Sequence, residues 1–202
     1  MPDDSTVCIV DDDQAVLAAL TFLLTSEGYA VRAHESARTF LEMIEQDNCG
    51  CVVTDVRMPE MGGLDLLAEM KERRVSMPVI VITADGDIPL AIAAMKRGAI
   101  HFFEKPFDND ALLDSIRAAL TRREESEPPR DAETQMIKER FATLSKREKD
   151  VLACLLNGLP NKVIAHELGI SARTVEVHRA NMMKKTQASS LAELVRMALI
   201  AL

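Results

Sequence analysis

The sequence predicts two folded parts, a doubly wound α/β unit built on a parallel five-stranded sheet and an all-α unit of four helices. Three observations predict this. Short apolar, β-rich runs alternate with segments of helical periodicity through the first 123 residues. Those runs are continuously apolar rather than alternating, the mark of strands covered on both faces. Past the polar stretch that holds Pro128-Pro129, every apolar repeat has helical spacing. The expected boundaries are 1–123, a linker at 124–138, and 139–202.

The first strand is Val7-Cys8-Ile9-Val10, followed by helical spacing from Ala15 to Leu24 that ends near Gly28. Tyr29 to Ala33 is a weaker strand, and Ala37 to Ile44 is helical. Cys51-Val52-Val53-Thr54 is a buried-type strand, and Leu64 to Met70 turns helical after Gly62-Gly63. Val79-Ile80-Val81-Ile82 is the clearest strand, followed by a helix from Ile88 to Met95 that Gly98 stops. Ile100-His101-Phe102-Phe103 is the fifth strand, and Ala111 to Leu120 closes the unit. A helix is expected to resume near Ala132 and run toward Ala142.

In the second part, Ser145 and Glu148 have the spacing of a capping box. The helix behind them buries Val151, Leu152, Leu155 and Leu156 and ends at Gly158. A short helix, Asn161 to Leu168, directs Val163, Ile164 and Leu168 inward. Gly169-Ile170 makes a turn, Ser171 caps a third helix running toward Thr186, and a last helix from Leu191 places Leu194, Val195, Ala198 and Leu199 on the core. Two helices joined by a short Gly-containing turn form a helix-turn-helix, whose second helix suits a DNA major groove.

Composition narrows the function. The 202 residues carry a formal net charge of −8, divided unevenly. Residues 1–123 hold 12 Lys or Arg against 21 Asp or Glu, 124–138 hold 2 against 5, and 139–202 hold 10 against 6. An acidic body with a basic far end fits a regulated domain joined to a nucleic-acid reader, though charge alone weighs this evenly against chance. No apolar run is long enough to span a bilayer. The acidic start, Asp3-Asp4, lacks the basic region of a secretory signal and predicts a cytoplasmic protein. Cys49 and Cys51 are one residue apart, and no matching Cys or His pair completes a zinc site. Buried or idle thiols are expected rather than disulfides or a metal centre. With no Trp and a single Tyr, an aromatic base-stacking platform is not expected.

Polar residues gather at strand ends. Asp11, Asp12 and Asp13 follow the first strand, Asp55 the third, Thr83 closes the fourth, and Lys105 closes the fifth. One Asp after a strand is usually a helix cap, the role expected of Asp13, and a lone Lys there is usually just solvated. Four such ends meet at the crevice of a doubly wound sheet. Clustered carboxylates need a cation, and magnesium takes one or two carboxylates, waters and phosphate oxygen. A carboxylate can also accept a phosphoryl group, with Lys105 supplying charge and Thr83 a hydroxyl donor.

These residues carry a resemblance. Asp11-Asp12, Asp55-Val56-Arg57-Met58-Pro59 with Gly62-Gly63, Thr83-Ala84 and Lys105-Pro106 resemble the receiver domain of bacterial two-component response regulators. The resemblance implies that Asp55 accepts a phosphoryl group from the histidine of a sensor kinase. It implies that Asp12, Asp55 and the Arg57 carbonyl bind Mg2+, with Asp11 helping through water. Lys105 would contact the phosphoryl group, Thr83 would swing toward it, and Phe102 would turn inward in response. Plain core packing is the alternative reading of Phe102, and the sequence does not separate the two. Ala84 stands where one branch of these regulators carries glycine, which implies a changed phosphoryl-group lifetime.

The third helix of the second part is basic on balance, with Arg173, Arg179, Lys184 and Lys185 against Glu176. Val175, His178 and Met182 are expected inward. The candidate DNA-contact set is Asn161, Lys162, Thr174, Glu176, Val177, Arg179, Asn181, Lys184 and Lys185. Arg179, Lys184 and Lys185 are expected on phosphates, Glu176 on a cytosine amine and Val177 on a thymine methyl. A solvated amphipathic helix is the alternative that charge count alone would favour.

Leu144-Ser145-Lys146-Arg147-Glu148, Asn161-Lys162-Val163-Ile164-Ala165 and Arg173-Thr174-Val175-Glu176-Val177-His178-Arg179-Ala180-Asn181 resemble the LuxR-type DNA-binding domain. With Gly86-Asp87-Ile88-Pro89, Glu104-Lys105-Pro106-Phe107 and the stretch from Leu191 to Leu199, the chain is similar to the FixJ branch of response regulators. Thr186 departs from it, standing where the branch carries an apolar residue, and predicts looser packing there. The resemblance implies a transcriptional activator of microaerobic or nitrogen-fixation genes. Its implied partners are a FixL-like sensor kinase, promoter DNA and RNA polymerase. The unphosphorylated form is expected to be a restrained monomer that becomes a homodimer on phosphorylation. The chain would not be an enzyme beyond phosphorylating and slowly dephosphorylating itself. The competing reading is a phosphate-sink or protein-interaction regulator whose last domain does not bind DNA.

Overall fold

Continuous apolar runs build the sheet. In a computed structural model, β1 (Thr6–Val10), β3 (Cys51–Asp55) and β4 (Val79–Thr83) are buried at every residue. β2 (Ala30–His34) and β5 (His101–Glu104) are the partly exposed edges. The structure describes residues 6–44, 49–84, 88–124 and 131–201. Asp3-Asp4, Gly86-Asp87 and the linker stretch 125–130 lie outside the described residues.

All strand pairs are parallel, in the order β2-β1-β3-β4-β5. The chain builds β2 on one side of β1 and then crosses to β3 on the other. The loops leaving β1 and β3 therefore diverge and open a crevice at their carboxyl ends. The connecting helices are α1 (Gln14–Ser26), α2 (Ala37–Met43), α3 (Gly63–Glu72), α4 (Ile88–Lys96) and α5 (Asn109–Glu124). Leu17, Leu20 and Leu24 of α1 and Leu112, Leu113 and Ile116 of α5 close on one face of the sheet, over Val7, Ile9, Val53, Ile80 and Ile82. Asp13 caps α1 as expected, accepting from the Ala15 amide at 2.8 Å.

Cys8 and Cys49 are joined as a disulfide, their Cα atoms 5.9 Å apart. This overturns the expectation of idle thiols for these two of the four cysteines. That expectation rested on close spacing and a reducing compartment, whereas Cys8 and Cys49 are 41 residues apart and meet because β1 and β3 are neighbours. Cys51 and Cys154 are free, and burial pushes the Cys51 thiol up to about 12.

The second group of helices is α6 (Asp131–Ala142), α7 (Lys146–Leu156), α8 (Asn161–Leu168), α9 (Ala172–Thr186) and α10 (Leu191–Ala201). The chain divides into two compact units, residues 1–86 with 97–126, and residues 87–96 with 127–202. α6 is the helix expected from near Ala132 toward Ala142; it runs unbroken past position 138 and buries Ile137 and Phe141, so it packs with the four helices that follow rather than ending in a linker. Val151, Leu155, Ile164, Val175, Met182, Leu194 and Val195 are fully buried. Two residues depart from their expected inward positions. Val163 is 40% and Leu199 46% exposed, because Ile164-Ala165 and Val195-Ala198 already fill the inward stripes of these short helices. Thr186 is fully buried, and its hydroxyl donates to the Met182 carbonyl at 2.8 Å.

Candidate functional site

Three strand ends converge on one ammonium. Lys105 lies just past β5, where its amide donates to the Thr83 carbonyl at 2.7 Å. Its Nζ donates to Asp11 Oδ2 and to Asp55 Oδ1, both at 2.9 Å. Asp11 and Asp55 are buried, and Lys105 is partly so. Buried charges persist only when paired and hydrogen-bonded. The remaining carboxylate oxygens are served by main chain: the Arg57 amide donates to Asp55 Oδ2 at 2.6 Å, and the Asp13 amide to Asp11 Oδ1 at 2.9 Å. Burial pulls the Lys105 pKa down, but hydrogen bonds and charge from Asp55 and Asp11 together outweigh it and hold the ammonium above its ordinary value of 10.5.

The loop after Asp55 is fixed by close backbone approach. The Gly63 amide donates to the Val56 carbonyl at 3.0 Å. A Cβ on Gly63 would fall 2.2 Å from the Asp55 carbonyl oxygen, and one on Gly62 would fall 2.6 Å from that of Val56. Only glycine lets α3 start so near the loop.

Of the expected acceptor residues, the structure joins Asp11, Asp55 and Lys105 directly and brings the Arg57 amide to Asp55. Thr83 is buried at the end of β4, opposite Glu104 in register. Asp12 is exposed. Phe102 is half-buried on β5. Among the described residues, no group of three or more Asp, Glu, His or Cys side chains gathers closely enough to hold a metal ion. Of the expected metal set, Asp11 and Asp55 meet on Lys105, and the Arg57 main chain meets Asp55.

The second unit presents α9 as the second helix of the helix-turn-helix. Gly169, left-handed at φ 63°, ends α8, and Ser171 opens α9 by accepting from the Thr174 amide at 3.0 Å. Val175 and Met182 are buried and His178 half-buried, so the inward stripe is as expected. Lys162, Glu176, Val177, Asn181 and Lys184 are exposed, and Asn161 and Thr174 are intermediate. Two of the expected phosphate contacts are engaged inside the domain. Half-buried Arg179 donates to Asn161 Oδ1 at 3.0 Å, and burial lowers its pKa despite the charge of Glu176. Lys185 donates to Glu148 Oε2 at 2.7 Å. Sequence reading gave Glu148 only a capping role. Its tie to Lys185 spans 37 residues, and no local spacing signals it.

Comparison with known proteins agrees with both halves. Residues 7–117 match the response regulator receiver domain. Residues 142–198 match the bacterial regulatory proteins of the luxR family. Over 201 residues the chain is 54% identical to the transcriptional regulatory protein FixJ of Azorhizobium caulinodans, spanning 100% of this chain and 95% of that protein. It is 47% identical over 194 residues to the response regulator protein TodT of Pseudomonas putida, spanning 95% of this chain and 84% of that one. The solved structure of full-length FixJ from B. japonicum is 43% identical, with a TM-score of 0.57 over 98% of this chain and 97% of that one. No described helix is long and apolar enough to cross a membrane. With a buried aspartate pair on a shared lysine at one end and a helix-turn-helix at the other, this chain belongs to the two-component response regulators of the FixJ type, phosphorylation-activated transcription regulators that join a receiver domain to a LuxR-type DNA-binding domain.

Proposed function

We propose that Asp55 is the phosphoacceptor and that a FixL-like sensor histidine kinase is its donor. The convergence of Asp11, Asp55 and Lys105 carries this reading. An Asp55 oxygen attacks phosphorus, the P–N bond to the donor histidine breaks, and an acyl phosphate forms while the imidazole leaves. Lys105, already at 2.9 Å from Asp55, turns to the new phosphoryl oxygens. The product adds roughly −1.5 to −2 charge, which a lysine held as ammonium absorbs. The Thr83 hydroxyl donates to the same oxygens, and Phe102 follows it inward.

The donor set suits magnesium: two carboxylates reach one common cation here, and all are hard oxygen ligands. Asp11, Asp12, Asp55 and the Arg57 carbonyl would hold the ion, which when bound neutralises charge on the transferring phosphoryl group. The phosphorylated chain forms a homodimer and sets two copies of α9 into half-sites about one helical turn apart. Lys162, Thr174, Glu176, Val177, Asn181 and Lys184 face the DNA, with Asn161 and Arg179 beside them. The dimer recruits RNA polymerase in the cytoplasm to microaerobic or nitrogen-fixation promoters, as the similarity to FixJ suggests. With this reading go a receiver domain over 1–123 and a DNA-binding domain over 139–202, the helix α6 leading into it from the linker side.

Asp55→Asn tests it. Phosphodonor-stimulated promoter binding is expected to vanish in this variant. Stimulation at the unaltered level would remove Asp55 from the mechanism.

A further inference from the structure

A buried glutamate under a DNA-reading helix needs a reason. Glu148 is 3% exposed and sits in the first turn of α7. Its Oε2 accepts from the Ser145 amide at 2.7 Å, and the Glu148 amide donates to Ser145 Oγ at 3.3 Å. That capping box needs an acceptor but no charge, since Gln serves as well as Glu at this position. The charge is used elsewhere. The same Oε2 accepts from Lys185 Nζ at 2.7 Å, across to the last turn of α9. The two positions are unequally wet: the Glu148 side chain is 4% exposed and that of Lys185 39%. The carboxylate is fixed, while the ammonium stands at the rim, where a DNA phosphate would compete for it.

We propose that Glu148 is a positioning residue for DNA recognition, a built-in counter-ion that clamps the end of α9 and withholds Lys185 from the DNA backbone. Lys185 is then one of the basic residues of the recognition helix that does not meet phosphate. The clamp favours register over raw attraction, because each lysine on a phosphate adds sequence-independent affinity.

Salt dependence reads this directly. Each phosphate contact adds about 0.9 to the slope of log K against log salt. Glu148→Gln keeps the cap and removes the counter-ion. In the full-length protein, bound to a short random-sequence duplex, it is expected to steepen the slope by about 0.9, an extra loss of roughly 3.5-fold in affinity over a fourfold rise in salt. Lys185→Gln is expected to leave the slope unchanged, and it carries the test should the first variant fail to fold. A purely structural role for Glu148 predicts weaker binding at an unaltered slope. An unchanged slope in Glu148→Gln, or a slope shallower by about 0.9 in Lys185→Gln, overturns the proposal. Absence of salt-dependent binding by the unaltered chain would count instead against DNA recognition itself.

Discussion

Replacing Gly63 by Ala sets a methyl group against the loop that carries Asp55. The new Cβ would lie 2.2 Å from the Asp55 carbonyl oxygen, 3.1 Å from its carbon and 3.3 Å from Thr54 Cγ2. The obstacle is main chain held in a parallel sheet, so no flexible tip can swing aside. Restoring ordinary contact requires α3 or the Asp55 loop to retreat by about 1 Å. Overpacking of this kind costs about 1–3 kcal/mol. The same shift acts on Asp55, whose Oδ2 is held by the Arg57 amide in that loop. A misplacement of about 1 Å at a reacting group can cost roughly 100-fold in rate. Gly63→Ala is therefore expected to unfold several degrees lower and to accept phosphoryl groups from a small-molecule donor far more slowly. Intact-protein mass spectrometry over time follows the second effect. An unchanged melting temperature together with an unchanged phosphorylation rate would refute the close-approach argument.

Two further outcomes follow from the same geometry. Leu155 is fully buried on the inward face of α7, so Leu155→Ala is expected to destabilise the helical unit by about 2–5 kcal/mol, measured by urea unfolding, with its DNA binding lost in parallel. Lys105 has a folded pKa raised above 10.5, so its pairing stabilises the protein fully below that value and the contribution fades as pH rises through the folded pKa. Unfolding titrations above pH 10.5 are expected to show a stability loss that Lys105→Met lacks, and equal losses in both proteins would detach it from this pair.

β1, β3 and β4 were readable from sequence because burial on both faces removes polar residues from every position. β2 was harder because it is an edge, with Arg32 exposed in its middle. Asp11, Asp55 and Lys105 were readable as strand ends, since strand ends meet at a crevice in this topology. Their joint bonding was not: Lys105 reaches partners 94 and 50 residues away, and Asp12 looked equal to Asp11 until burial separated them. Helical periodicity placed Val163 and Leu199 inward, but a helix of 8 or 11 residues has a narrow inward stripe, and neighbours took it. The Cys8–Cys49 and Glu148–Lys185 pairs depend on which strands and helices become neighbours, which composition and spacing do not encode.

The strand order of the sheet has a consequence for how such a protein changes over time. Every acid-pocket residue stands at or just past a strand end along a single rim, while helices cover the sheet away from that rim. The outer surfaces of those helices carry none of the charge-storing side chains. Substitutions there can retune which kinase is heard or which protomer is met while the rim stays intact, so one pocket can serve many separate circuits.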